Sequence, residues 1–268
     1  MLGLTHAVPA VLVAAVVPAV AGTNGTAEGL AERRRSDFSH EFAGGASLGF
    51  AQAREDLILP LRFVGPGFGV GMRYTLATPN WELRSSMNAT ALVLFDRYDT
   101  PNGVVEPAVE LAWRRRLHNP VWLTNLNVGP VIGAREFLGY YGSWDDSHLY
   151  WLGMSQIGVS ASGDFALGGR SIRIELAVPL CALVTRPPRY RRRKIDNVTS
   201  VGYWLGRFVD SPEMTSWHQL QALDLRATWR QLGDGWALDP YVRIDFVSFA
   251  DPRRVTYLNM WLGLEVRW

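Results

Sequence analysis

The chain has 268 residues, 48% of them hydrophobic and 12% aromatic, with a formal net charge of +2 and one cysteine. That length holds one large domain or two small ones. An intrachain disulfide and a cysteine-built zinc site are excluded. A nucleic-acid partner has no global electrostatic support, and beyond the N-terminus no apolar run is long enough for a helical membrane span.

Residues 7–21 (AVPAVLVAAVVPAVA) form an apolar run ending in Ala19-Val20-Ala21. The pattern resembles a secretory signal with a small-residue cleavage site, which assigns 1–21 to a signal peptide. No cysteine follows the site, so a lipoprotein signal is ruled out. Residues 22–36, with Arg33-Arg34-Arg35, read as a flexible polar tail, and 37–268 as the folded domain.

From there, ten segments alternate apolar and polar residues with a period of two, the signature of half-buried strands. They run over 37–52, 66–77, 81–97, 103–117, 120–135, 147–162, 168–186, 215–232, 235–250 and 253–268. Turn residues punctuate them: Thr78-Pro79-Asn80, Pro101-Asn102-Gly103, His118-Asn119-Pro120, Gly233-Asp234-Gly235 and Asp251-Pro252. Segment 55–64 is ambiguous, since Pro60 argues for an edge or a loop. The glycine-rich Gly65–Gly71 has no Lys-Ser/Thr ending and opens no helix, so it is no phosphate loop. It reads as the start of a strand.

The chain ends with Leu258, Met260, Leu262, Leu264, Val266 and Trp268 on alternate positions, and with Gly263 five residues before the end. Gly263, Val266 and Trp268 resemble the C-terminal assembly signal of bacterial outer-membrane β-barrels. Trp261 stands where that signal has a polar residue. The resemblance implies export, a location in the outer membrane, insertion by the barrel-assembly machinery, and lipid and lipopolysaccharide as surroundings. It makes the 22–36 tail periplasmic. The fold expected is an all-β, transmembrane, antiparallel up-and-down barrel of ten strands, with eight or twelve as alternatives. Short connections at 78–80, 118–119, 163–167 and 233–234 fall on the periplasmic side. Longer ones at 53–65, 136–146 and 187–214 fall outside, as such barrels require. Val178–Leu180, Arg186–Pro188 and Trp217–Asp224 resemble uncharacterised Bacteroidetes-type barrels, which carry no activity to transfer.

The polar face then becomes the lumen. Its acids are Glu41, Glu82, Asp96, Glu106, Glu110, Glu175, Asp224, Asp239, Asp245 and Glu265. Its bases are Arg73, Arg84, Arg114, Arg116, Arg173, Arg226, Arg230, Arg243 and Arg267. The signs nearly balance, whereas a selective pore lines its constriction with one sign. Arginine forks bind carboxylates bidentately, and about ten strands leave little room once long side chains point inward. A plugged, charge-paired lumen is the expectation, with a narrow porin-like channel as the alternative. Cys181 is placed on the lumen face, as a buried inert thiol.

Candidate sites are few. Asp146 and His148, two apart on one strand face, offer a carboxylate and an imidazole for general-base work. The omptin proteases have a similar Asp-x-His pair near the barrel top. They also need a second Asp pair, for which Asp96 and Asp99 are a poor substitute. Ser39-His40-Glu41 with Ser160 and Ser162 suggests a lipid esterase, but neighbours along a strand point to opposite faces. Arg189, Arg191, Arg192, Arg193 and Lys194 form a dense basic run in the longest outer loop, suited to anionic lipid or another polyanion. Arg114-Arg115-Arg116 reads as a group snorkelling to phosphates at a strand end. No cofactor or metal is expected. The function expected is non-enzymatic, structural or surface-binding. A channel or a surface hydrolase, omptin-like or lipid-acting, are the alternatives.

Overall fold

The computed structural model describes residues 38–55, 59–98, 100–117, 124–141, 149–167, 170–186, 212–231, 236–250 and 254–268. Among them there is no helix. Eleven strands form: β1 Ser39–Glu55, β2 Leu59–Ala77, β3 Trp81–Phe95, β4 Pro101–Arg116, β5 Thr124–Tyr141, β6 Leu149–Leu167, β7 Arg170–Thr185, β8 Glu213–Ser216, β9 Leu220–Gln231, β10 Ala237–Phe249 and β11 Val255–Arg267. Apart from β8 and β9, strands consecutive in the chain pair antiparallel, and β1 pairs with β11. Strands β8 and β9 both pair with β7 and act as one interrupted stave. The result is the expected closed barrel of ten staves. Closure is sealed where Phe42 and Trp268 exchange backbone hydrogen bonds of 2.9 Å in both directions. Their rings stack at 5.5 Å between centroids.

The fold is turned inside out relative to a water-soluble barrel. On β11 the outward residues Met260, Leu262, Leu264, Val266 and Trp268 are 40–67% exposed, while inward Glu265 is 3% exposed. The same holds round the wall, from Leu48 and Phe68 through Ile132 and Ile157 to Val242.

Several boundaries move. The connection expected over 53–65 is mostly strand, because β1 and β2 form one long hairpin in which Glu55 pairs with Leu59. Pro60 therefore lies inside a strand segment near its end. Strand β5 starts later than expected and runs on to Tyr141, after an irregularity between Thr124 and Asn127. There Asn125 takes a positive φ of 55°, a conformation asparagine tolerates better than most residues.

The stave expected over 215–232 is broken at Trp217–Gln219, where the Gln219 N–H donates to the Ser216 carbonyl at 3.0 Å. Facing it, β7 bulges. Gly158 pairs with Pro179 and Ile157 with Cys181, leaving Leu180 as the extra residue. Pro179 has no N–H to give the ladder, so a bulge is where it fits. The bulge resets the alternation, and this corrects the placement of Cys181. It is on the outer face, level with Ile157, and Ala182 and Val184 now point inward, 4% and 2% exposed.

The glycines of 65–71 are not the start of a strand. They lie within β2, and Gly65, Gly67, Gly69 and Gly71 all fall on the inner face with Arg73. Together with Gly45, Gly49 and Gly263 they leave the β11–β1–β2 wall bare on the inside. Large lumen residues occupy that space. A Cβ on Gly49 or Gly67 would come within 2.2 or 2.9 Å of the Trp261 ring, and one on Gly263 within 2.4 Å of the Tyr241 ring. Trp261, the departure from the C-terminal signal, is thus a lumen-filling residue, 2% exposed.

Candidate functional site

The lumen is filled in layers. Nearest the chain termini, Glu41 on β1 pairs with Arg230 on β9, and Asp239 with Arg267 at 2.7 Å. Above them Glu175 on β7 is the hub. It pairs with Arg84, and lies 3.1 Å from Arg173, 3.4 Å from Arg73 and 3.6 Å from Arg114. Glu82 pairs with Arg173 and, at 2.9 Å, with Arg114. Glu265 pairs with Arg226 and, at 2.7 Å, with Arg73. Tyr241 presents its ring to the Arg226 guanidinium, 3.8 Å from the centroid.

A second charge cluster lies toward the other end. Arg135 reaches Glu106 at 3.1 Å, Asp245 at 3.3 Å and Asp224 at 3.5 Å. Arg243 lies 2.8 Å from both Asp224 and Asp245. Asn259 donates to Glu106 at 3.1 Å. Between the two clusters is a small polar cavity bordered by Arg84, Glu110, Arg135, Asp224, Arg226 and Arg243.

Beyond the second cluster the lumen turns apolar. Phe63, Leu94, Val104, Phe137, Leu152, Leu220, Phe249 and Val255 are each no more than 1% exposed and belong to one contiguous group. Phe137 and Tyr257 stack at 4.4 Å. Toward this end the interior is an apolar core packed like that of a soluble domain.

The residues singled out in the sequence divide as follows. Glu82, Arg84, Glu106, Arg114, Arg173, Glu175, Asp224, Arg226, Arg230, Asp239, Arg243 and Asp245 all make ion pairs inside the barrel. Glu110 borders the cavity without an ion pair of 4 Å or less among the described residues. Arg114 is 1% exposed and deep in the lumen, so it does not snorkel. Asp96 is a turn cap and not a lumen acid: its carboxylate accepts from the N–H groups of Tyr98 at 2.8 Å and Thr100 at 3.2 Å. Arg135 was missed. Its segment was expected to end at that residue, yet the strand continues for six more.

No catalytic set assembles among the described residues. Ser160 and Ser162 accept hydrogen bonds from Arg114 at 3.0 Å and Arg173 at 3.2 Å. His40 bonds the Tyr74 hydroxyl at 2.7 Å on the outer surface, away from both serines. Asp146, His148, Arg189, Arg191, Arg192, Arg193 and Lys194 lie outside the described residues.

No family model matches the sequence, and no curated protein matches it. Solved structures do. The translocator domain of the autotransporter NalP from Neisseria meningitidis is similar over 90% of this chain and 95% of its own, with 11% identity and a TM-score of 0.43. The outer membrane protease OmpT from Escherichia coli is similar over 87% of this chain and 96% of its own, with 8% identity and a TM-score of 0.42. CdiB from Acinetobacter baumannii is similar over 84% of this chain and 60% of its own, with 9% identity and a TM-score of 0.30.

Proposed function

We propose that this protein is a non-enzymatic β-barrel of the bacterial outer membrane that keeps its own lumen shut and acts through the surface it presents. One observation carries this reading: large apolar side chains cover the outside, while charged side chains are buried within. In water that arrangement has its free energy the wrong way round on both faces. In lipid both faces are satisfied, and a closed barrel leaves no strand edge unpaired. From Leu258 to Trp268 the outward residues of β11 cover ten steps. At about 3.3 Å per step and a tilt of about 40°, that is an apolar band about 25 Å tall. Trp113, Trp229, Trp236 and Trp268 lie toward the termini end and are 43–77% exposed, as in an interfacial girdle.

With residues 1–21 read as a signal peptide and 22–36 as the tail, the termini end faces the periplasm and the apolar-capped end faces out. The basic run Arg189–Lys194 then belongs to the outer surface, as a contact for anionic headgroups or another polyanion. The channel reading has no comparable support, because a charge-paired layer and an apolar layer lie in series across the lumen.

Cys181 tests the membrane placement, being the only cysteine. A fluorophore attached there in protein refolded into vesicles is expected to be quenched by a lipid-borne quencher and little affected by aqueous iodide. The folded band should also shift in a gel on heating. Quenching by iodide and not by lipid, with no heat shift, would overturn the placement.

A further inference from the structure

Glu136 is an acid within the apolar outer wall. It lies on β5 between Arg135 and Phe137, which point inward, so its own side chain points out, half-buried. Arg115 and Arg170 also point out, but they stand at strand ends, where charges reach headgroups. Tyr140, four residues nearer the outer end on the same face, is 56% exposed. At about 2.5 Å of height per residue in a tilted strand, Glu136 is about 10 Å below it. Around it Val105, Val109, Ile132, Ile157 and Leu183 are 37–56% exposed.

The register puts Glu136 opposite Gly153 on β6, and Gly153 opposite Thr185 on β7. One row nearer the termini end, Ala134, Ser155 and Leu183 line up in the same way. A Cβ on Gly153 would lie 2.5 Å from the Thr185 hydroxyl and 4.0 Å from Glu136 Oε1, so the two polar groups flank a bare patch of backbone. Ser155 is exposed, diagonal to Glu136. The side chains of Glu136, Ser155 and Thr185 make no ion pair or hydrogen bond among the described residues.

Lipid tails offer no hydrogen bond, and an ionisable group that faces them is costly. What covers this notch must lie in the membrane, offer donors and come close. A second copy of the same wall does all three. Ser155 and Thr185 supply hydroxyl donors and Glu136 the acceptor. Ala134 and Gly153 let two walls approach, as small residues do between membrane segments. About a two-fold axis each contact is made twice, so the wall is complementary to itself.

We propose that the β5–β6–β7 wall is an interface between two copies of this chain in the membrane, in which the Ser155 and Thr185 hydroxyls of each copy donate to the Glu136 carboxyl of the other. The interface rests on the membrane placement proposed above.

Cys181 reports on it, because it faces out level with Ile157, two rows from Glu136. Refolded full-length protein in vesicles is treated with a short bifunctional maleimide over a series of lipid-to-protein ratios. Native mass spectrometry of the same protein gives the mass independently of Cys181. Wild type is expected to be a dimer by both measurements, and to stay so on dilution with lipid. E136Q keeps an acceptor and should dimerise as wild type does. E136L/S155L should need about tenfold more protein per lipid for the same yield. Monomer alone in both measurements would overturn the interface, and so would an unchanged yield in E136L/S155L. A wild-type monomer carrying an amine-headed lipid that E136L lacks would also overturn it, and would give the notch to a lipid. The heat-induced gel shift separates two failures. Wild type that shifts but stays monomeric loses only the interface. Wild type that does not shift loses the membrane placement as well.

Discussion

Glu175→Gln is expected to destabilise the barrel by about 3–5 kcal/mol, the cost of breaking a buried charge network from one side. Glu175 is 4% exposed and faces four guanidiniums, those of Arg73, Arg84, Arg114 and Arg173. The amide keeps the shape and removes the charge that holds them together. Arg73, Arg114 and Arg173 retain other carboxylates, but Arg84 has Glu175 as its only ion-pair partner among the described residues. Urea unfolding in vesicles, followed by tryptophan fluorescence, gives the number. Exposed Arg115→Gln is the control and should change stability by less than about 0.5 kcal/mol. A Glu175→Gln variant as stable as that control would mean the network has little structural weight.

Gly263→Val should cost about 3 kcal/mol, at the high end for overpacking. Its Cβ would meet the Tyr241 ring at 2.4 Å, and the three nearest atoms all belong to that side chain. Tyr241 is itself held under Arg226, so the ring has little freedom to retreat. Pairing Gly263→Val with Tyr241→Leu should recover more than half of the loss, a strong coupling between neighbours. Strictly additive losses would show that Gly263 serves something other than this ring. Refolding of purified protein is the right setting, because it reads the packing of Gly263 apart from any part the residue plays in assembly in cells.

The period-two pattern made the ten staves, their antiparallel order and most inward charges legible in the sequence, because side-chain direction alternates strictly along a regular strand. What escaped was each place where that rule is locally reset. Pro179 forces a bulge, and Cys181 changes face. The apolar cap was also invisible. Ala91-Leu92-Val93-Leu94-Phe95 is apolar on both faces, so nothing in the run says that Leu92 and Leu94 point inward while Val93 and Phe95 point out. Arg135 was lost for a related reason, since its strand carries apolar or small residues on both faces before it. The role of Trp261 depended on glycines that are distant in sequence and adjacent only once β1, β2 and β11 are paired. The Asp146–His148 pair and the Arg189–Lys194 run lie outside the described residues.

The closed lumen is tested most directly by single-channel recording of the refolded protein in a planar bilayer, after the heat shift has shown that the barrel is folded. The bilayer is predicted to stay at its baseline current, because the ion-paired layers and the apolar layer lie in series along the barrel interior. Steady, reproducible conductance steps from heat-modifiable protein would contradict the account and establish a pore.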